Sequence, residues 1–142
     1  MELNTDHLAR CIETLKSSLD MLNGAQEESM EYEIFRNAVV KGYELALETS
    51  GKLLRKALKQ YAGSPRSIDA LSFKEVLRDA LKHDLLDNAQ TVERWFAYRD
   101  NRNDTAHDYG ISFARDTLSM LPSFLSDVQA LEKTLREKFG NA

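Results

Sequence analysis

Residues 30–61 read MEYEIFRNAVVKGYELALETSGKLLRKALKQY, and their spacing decides the fold. Phe35, Val39, Gly42, Ala46, Ser50, Leu53, Ala57 and Tyr61 recur every three or four positions, the period that lines one face of an α-helix. A single helix over this stretch reaches about 48 Å at 1.5 Å per residue, the length of a bundle rod. Gly42, Ser50 and Gly51 weaken helix propensity in its interior, and the physical reason for such small residues there is close approach by another helix.

The same period extends in both directions. Upstream, Leu8, Cys11, Ile12, Leu15, Leu19 and Leu22 form one stripe that Asn23-Gly24 ends. Downstream, Ala62-Gly63-Ser64-Pro65-Arg66-Ser67 reads as a loop. Ser72-Phe73-Lys74-Glu75 has the spacing of a capping box, in which hydroxyl and carboxylate satisfy orphan amide donors reciprocally, and it opens a short helix from Phe73 to about Lys82. Asp87 is the expected cap of a fourth helix with Val92, Trp95 and Phe96 in its early turns. From Phe113 to Phe139 the residues Leu118, Leu121, Leu125, Val128, Leu131, Leu135 and Phe139 keep helical phase, and Pro122 predicts a kink or break near Leu118. The expectation is an all-α, up-and-down bundle of four to five helices over residues 1–142, a single domain. No segment reads as a strand.

Composition narrows the function classes. With 142 residues, 42% hydrophobic and 30% charged, 6 Gly and 2 Pro, the chain buries a real core and is neither disordered nor turn-rich β. Its 19 Lys+Arg against 23 Asp+Glu leave a net charge of -4. That argues against a general grip on long nucleic acid, DNA included, while leaving room for a local basic site. The lone Cys11 cannot form an intramolecular disulfide, and there is no Cys/His ligand set for zinc, which fits a reducing, cytoplasmic setting. The first twenty residues carry charges without an apolar run, and nowhere do 18 apolar residues follow one another, so neither a signal peptide nor a membrane span is expected.

The pattern breaks between Val92 and Gly110. Continuing the phase of Val92 and Trp95 places Arg99, Arg102, Ala106 and Tyr109 on the face expected to be apolar. An unpaired buried arginine is costly, so such a stripe would open onto a partner, a ligand or a groove. Alternatively the helix ends near Arg99, and Asp100-Asn101-Arg102-Asn103-Asp104 is a solvated turn. The order of residue types is distinctive: Arg102-Asn103-Asp104-Thr105-Ala106-His107-Asp108-Tyr109 has the form R-x4-H-x-Y.

That stretch resembles the signature of HEPN domains, in particular HepT-like proteins that pair with a minimal nucleotidyltransferase of the MNT type. The long second helix with Tyr43-Glu44-Leu45-Ala46-Leu47-Glu48, the Ser64-Pro65-Arg66 loop, the short helix and Leu85-Leu86 before the motif follow the order seen in the nucleotidyltransferase substrate-binding branch, so the likeness spans most of the chain. It implies a homodimeric, metal-independent endoribonuclease without cofactors, the two motifs facing each other across a two-fold axis. His107 would then be the general acid/base for attack of a ribose 2′-hydroxyl on the adjacent phosphate, a role typically worth ~10²- to 10⁴-fold. Arg102 would stabilise charge on the transition state, and Asn103 would orient the site. Tyr109 would be an acceptor for adenylyl groups placed by the nucleotidyltransferase, the antitoxin of the pair. The added phosphate would block the site and offset its charge.

The residues themselves set terms for such a site. On an ideal helix Arg102 and His107 point about 140° apart, so two symmetric copies, or a break between them, must bring an Arg and a His to one phosphate. Asp100, Asp104, Asp108 and Asp116 dilute the field of Arg94, Arg99, Arg102 and Arg115, which suits a short RNA contact. Glu44 and Glu48 are placed either to hold Arg99 or Arg102 from behind or to sit solvated on the surface. His7 and His83 read as surface or capping residues, Cys11 as core, and Trp95 and Phe96 as core or dimer-interface anchors. Two functions remain open: the ribonuclease toxin neutralised by its nucleotidyltransferase, and a non-catalytic subunit that presents substrate to a nucleotidyltransferase. A helical dimer with no such partner is the plain alternative.

Overall fold

Met30–Leu58 form α2, a rod of 29 residues that touches every other helix or its neighbour and serves as the bundle's spine. Around it stand α1 (Asp6–Asn23), α3 (Pro65–Asp69), α4 (Phe73–Lys82), α5 (Ala89–Asp104) and α6 (Ile111–Phe139). The computed structural model describes residues 3–104 and 111–140, with the side chains of Asn103, Asp104 and Ile111 outside that description. Among the described residues there are six helices and no strand, and no helix is long and apolar enough to cross a membrane.

Small residues let the rods close up. Gly42 lies against Leu15 of α1, whose Cδ1 would stand 3.2 Å from an added Cβ, and Gly51 lies against the Phe73 ring of α4, which would approach to 2.8 Å. Ser50, fully buried, returns its hydroxyl to the Ala46 carbonyl at 2.8 Å and leaves no orphan donor. The two ends of the chain meet where the Leu3 amide donates to the Phe139 carbonyl at 2.9 Å and the Thr5 hydroxyl to Glu132 Oε2 at 2.7 Å.

Local signals set most of the boundaries. The capping box at Ser72 and Glu75 is present in both directions, and its hydrogen bonds to Ser72 hold the Glu75 carboxyl below its usual range. At the other end of α4, Asp84 has φ 61, its amide donates to Leu81 and the Leu85 amide reaches back to Ala80 at 2.8 Å. This is a Schellman closure with aspartate where glycine is preferred. Asp84→Gly is therefore expected to raise stability by about 0.5 kcal/mol, read as a shifted midpoint in chemical denaturation.

Three expectations need correction. The segment read as a loop contains α3: Pro65 starts it with a preset φ, Ile68 is buried, and Arg55 donates to the Ile68 carbonyl at 2.9 Å. Asn88, not Asp87, caps α5, its Oδ1 accepting the Thr91 amide at 2.9 Å. At Pro122 α6 continues without a break; the proline lies on the exposed face, where water can serve the carbonyl that loses its amide partner.

Candidate functional site at the end of α5

The first half of α5 is fixed to α6 by a buried carboxylate. Asp127 accepts Arg94 in a bidentate pair, Nε to Oδ2 at 2.8 Å and Nη2 to Oδ1 at 2.9 Å, and also accepts the Tyr98 hydroxyl at 2.5 Å. The Ser123 hydroxyl meets the same tyrosine oxygen at 2.8 Å. Burial, then the hydrogen bond to Asp127, pushes the Tyr98 phenol well above its ordinary range, so it stays a donor. Beneath this network the rings of Tyr43, Trp95, Tyr98 and Phe124 pack edge to face, with centroids 4.8 to 5.9 Å apart.

The inward stripe of α5 is thus Thr91, Val92, Trp95, Tyr98 and Asn101. The expectation that Arg99 and Arg102 occupy the core face is corrected: steps of three from Val92 rotate the buried face toward Tyr98 and Asn101, leaving both arginines half-buried at its margin. The helix also runs past Arg99 to Asp104, so Asp100–Asp104 is not a turn. Trp95 is core and Phe96 only partly buried, with Lys74 and Arg78 each 5.3 Å from its ring centroid. Arg99 does not meet Glu44 but lies 5.2 Å over the Phe73 ring.

Arg102 is the functional candidate whose setting is best defined. Its Nε lies 3.3 Å from Glu44 Oε2, while Glu48 pairs outward with Lys52 at 3.2 Å. One residue earlier Asn101, buried, donates to Thr117 Oγ1 of α6 at 3.1 Å, and one turn earlier Tyr43 donates to the Tyr98 carbonyl at 2.6 Å. The last two turns of α5 are therefore held from both α2 and α6, so the Arg102 backbone is preorganised. Beside the Arg102–Glu44 pair a cleft opens between α2 and the first turn of α6, lined by Arg36, Asn37, Val40, Lys41, Glu44, Phe113 and Ala114. Asn103 stands on α5 next to Arg102; His107 and Tyr109 lie outside the described residues.

Burial pushes the Tyr43 phenol up to about 12, against the opposing influence of Asn101 and Arg102. An unfolded phenol loses its proton near 10. Between those values the unfolded chain binds fewer protons than the folded one, so stability that is complete below pH 10 is lost as pH rises toward 12. Alkaline unfolding curves should steepen above pH 10 in the wild type and flatten in Tyr43→Phe; equal pH slopes for the two proteins would contradict this.

The two described histidines lie apart from this site. His83 caps α4 and stacks on Tyr61, with ring centroids 4.2 Å apart; His7 is exposed, with Nε2 3.8 Å from the sulfur of buried Cys11. Among the described residues no three His, Cys, Asp or Glu side chains gather as a metal-binding group. Sequence reasoning missed Tyr43, Tyr98, Asn101 and Asp127. Tyr98 was legible as the third step of Val92, Trp95, Tyr98, whereas Asp127 has no local signal because its partners lie on another helix.

Comparison with known proteins places the fold. Residues 9–137 match the family described as nucleotidyltransferase substrate binding protein like. The chain is 28% identical over 141 residues to a protein of Haemophilus influenzae named probable ribonuclease HepT, covering 96% of this chain and 94% of that one. It superposes with TM-score 0.80 and 26% identity on a solved H. influenzae structure reported to reveal the fold of a substrate binding domain of a nucleotidyltransferase, over 94% of this chain and 99% of that one. The protein therefore belongs to the nucleotidyltransferase substrate binding protein like family, as a HepT-like member of it.

Proposed function

We propose that the chain is a single-domain, homodimeric, metal-independent endoribonuclease, the toxin of a pair whose antitoxin is an MNT-type nucleotidyltransferase. The observation that carries the reading is Arg102: a guanidinium held by Glu44 at the end of a helix clamped by Tyr43 and Asn101, at the start of R-x4-H-x-Y. A preorganised guanidinium suits a phosphate gaining charge, because it needs no reorganisation as the reaction proceeds. Its planar fork matches phosphate oxygens better than an ammonium does.

The mechanism assigns the 2′-hydroxyl of the substrate as nucleophile. His107 takes its proton as the oxygen attacks the adjacent phosphorus, a protonated histidine of the dimer returns one to the departing 5′-oxygen, and Arg102 offsets the charge on the phosphorane-like transition state. The products are a 2′,3′-cyclic phosphate and a 5′-hydroxyl, and no water or metal enters the bond-making step. Asn103 orients the site. Tyr109 is the acceptor through which the nucleotidyltransferase silences it: transfer of an adenylyl group from ATP to the phenol oxygen, with pyrophosphate leaving, sets an anionic phosphodiester near Arg102 and His107. The cytoplasm is the proposed compartment.

The test is expression without a partner, wild type beside His107→Ala and Arg102→Ala, reading growth and RNA integrity. Arrest and cleavage that vanish in both variants with helicity intact support the nuclease. The name of the solved relative favours a second reading, a non-catalytic subunit that presents substrate to a nucleotidyltransferase. A harmless wild type that leaves RNA whole yet binds a nucleotidyltransferase selects that reading.

A further inference from the structure

The cleft beside Arg102 holds cations that the proposed chemistry does not use. Arg36 is half-buried and Lys41 exposed, and neither has an ion pair or hydrogen bond among the described residues. Both line the cleft from α2, at the margins of the face that also presents Asn37, Val40 and Glu44. Among the described lining residues Glu44 is the one carboxylate, and Arg102 engages it, so within the cleft neither Arg36 nor Lys41 has an ion-pair partner. Keeping an arginine partly out of water without a counter-ion costs free energy that an anionic ligand recovers. Opposite, Phe113 and Ala114 of α6 give the cleft an apolar wall next to the polar edge of Asn37.

Arg36 also marks where the cationic surface ends. On its far side the groove between α2 and α6 continues past Glu27, Glu28 and Glu33, with Arg115 the other cation there. Three carboxylates repel a phosphodiester backbone, so a strand entering from Arg102 meets favourable charge only as far as Arg36. Arg36 to Glu44 spans about 12 Å of α2.

We infer that Arg36 and Lys41, on the two margins of this α2 face, contact separate backbone phosphates of single-stranded RNA and together form a backbone subsite next to the phosphate that Arg102 serves, with Val40, Phe113 and Ala114 backing the nucleotide between them. The inference rests on the ribonuclease reading and adds to it the position and reach of the substrate: one strand, in a short cationic segment closed by the acidic groove. The apolar wall accepts the face of any base, so this subsite sets reach and polarity of the strand and not base sequence.

The experiment uses the full-length His107→Ala protein and a fluorescent single-stranded RNA oligonucleotide, with binding followed across a salt titration. Each lost phosphate contact lowers the slope of log K against log salt by about 0.7 for a single strand. Arg36→Gln is expected to lower it by that amount, the Arg36→Gln/Lys41→Gln double variant by about twice as much, and Arg36→Lys to restore most of the slope. Lys52→Gln, which removes the same charge from an exposed position further along α2, is the control and should leave the slope unchanged. In cleavage assays with His107 intact, Arg36→Gln should raise KM several-fold more than it lowers kcat.

The outcomes separate the two claims. If the wild type cleaves RNA and Arg36→Gln keeps the slope of the Lys52→Gln control, the subsite is wrong and the ribonuclease stands. If Arg36→Gln leaves RNA binding intact but prevents a complex with the nucleotidyltransferase, the cleft is a protein interface and the subsite is likewise overturned. A wild type that neither binds nor cuts RNA removes the ribonuclease and the subsite together.

Discussion

Purified Arg102→Ala protein is expected to cleave RNA about 10²- to 10³-fold more slowly than wild type, the loss falling on kcat more than on KM. That magnitude is typical when one preorganised donor to a developing charge is removed, because the interaction strengthens only as the transition state forms. The fold should survive the change. Arg102 is half-buried, and the hydrogen bonds that Tyr43 and Asn101 make at the end of α5 remain in the variant. Truncation leaves Glu44 beside the cleft without its cation, so the substrate phosphate meets an uncompensated carboxylate as well as a missing donor. Glu44→Gln in the Arg102→Ala background should therefore recover part of the loss, whereas Glu44→Gln alone should weaken activity modestly by releasing the side chain it orients. The check is single-turnover cleavage of a short RNA by the four proteins, with helicity recorded for each. Equal rates for Arg102→Ala and Arg102→Ala/Glu44→Gln would show that the pair is not electrostatically coupled at the site.

Phe124→Ala is expected to cost about 4 kcal/mol of folding stability, the largest effect of any single truncation proposed for this chain. The ring is fully buried and is the common neighbour of three others, at 4.8 Å from Tyr43, 5.1 Å from Tyr98 and 5.9 Å from Trp95. Its removal forfeits transfer free energy, opens a cavity that stiff rings collapse into poorly, and deletes edge-to-face contacts each worth about 1 kcal/mol. Equilibrium denaturation measures the change. Phe124→Leu, which keeps most of the volume, should cost well under half as much. If the two variants lose the same stability, ring geometry and not cavity volume governs the core.

The bundle was legible where the signal is local. The Ser72/Glu75 box, the stop at Asn23-Gly24 and the close approaches at Gly42 and Gly51 need only a few neighbouring residues, and each stands as the sequence indicates. The misreadings share one cause. Arg99 and Arg102 were placed on the core face because an amphipathic rule counts Tyr98 and Asn101 as poor core residues, yet distant partners make them good ones: Asp127 and Ser123 take the phenol, and Thr117 takes the amide. Position 87 or 88 as a cap turns on a single step of register, and Pro122 is tolerated because the helix carries it on its exposed side, which no one-dimensional pattern shows. For the site, Glu44 was recognised as a possible support of Arg102 and does lie against it. Arg36 gave no signal, since an arginine on a helix reads as solvated until the cleft it lines is visible.

Trp95 gives the molecule an optical reporter of its own. It is the single tryptophan of the chain, fully buried in the ring cluster, and its indole N–H has no hydrogen-bond partner among the described residues. Its ring is shielded from bulk solvent two helical turns ahead of Arg102, with Tyr98 and Phe124 as its ring neighbours. Any event that loosens α5 from α6, whether a substitution at Asp127 or a partner pulling on the end of the helix, wets the indole and shifts its fluorescence to the red. The integrity of the arm that carries the motif can thus be followed in an unlabelled protein, in real time, as RNA or a nucleotidyltransferase is added.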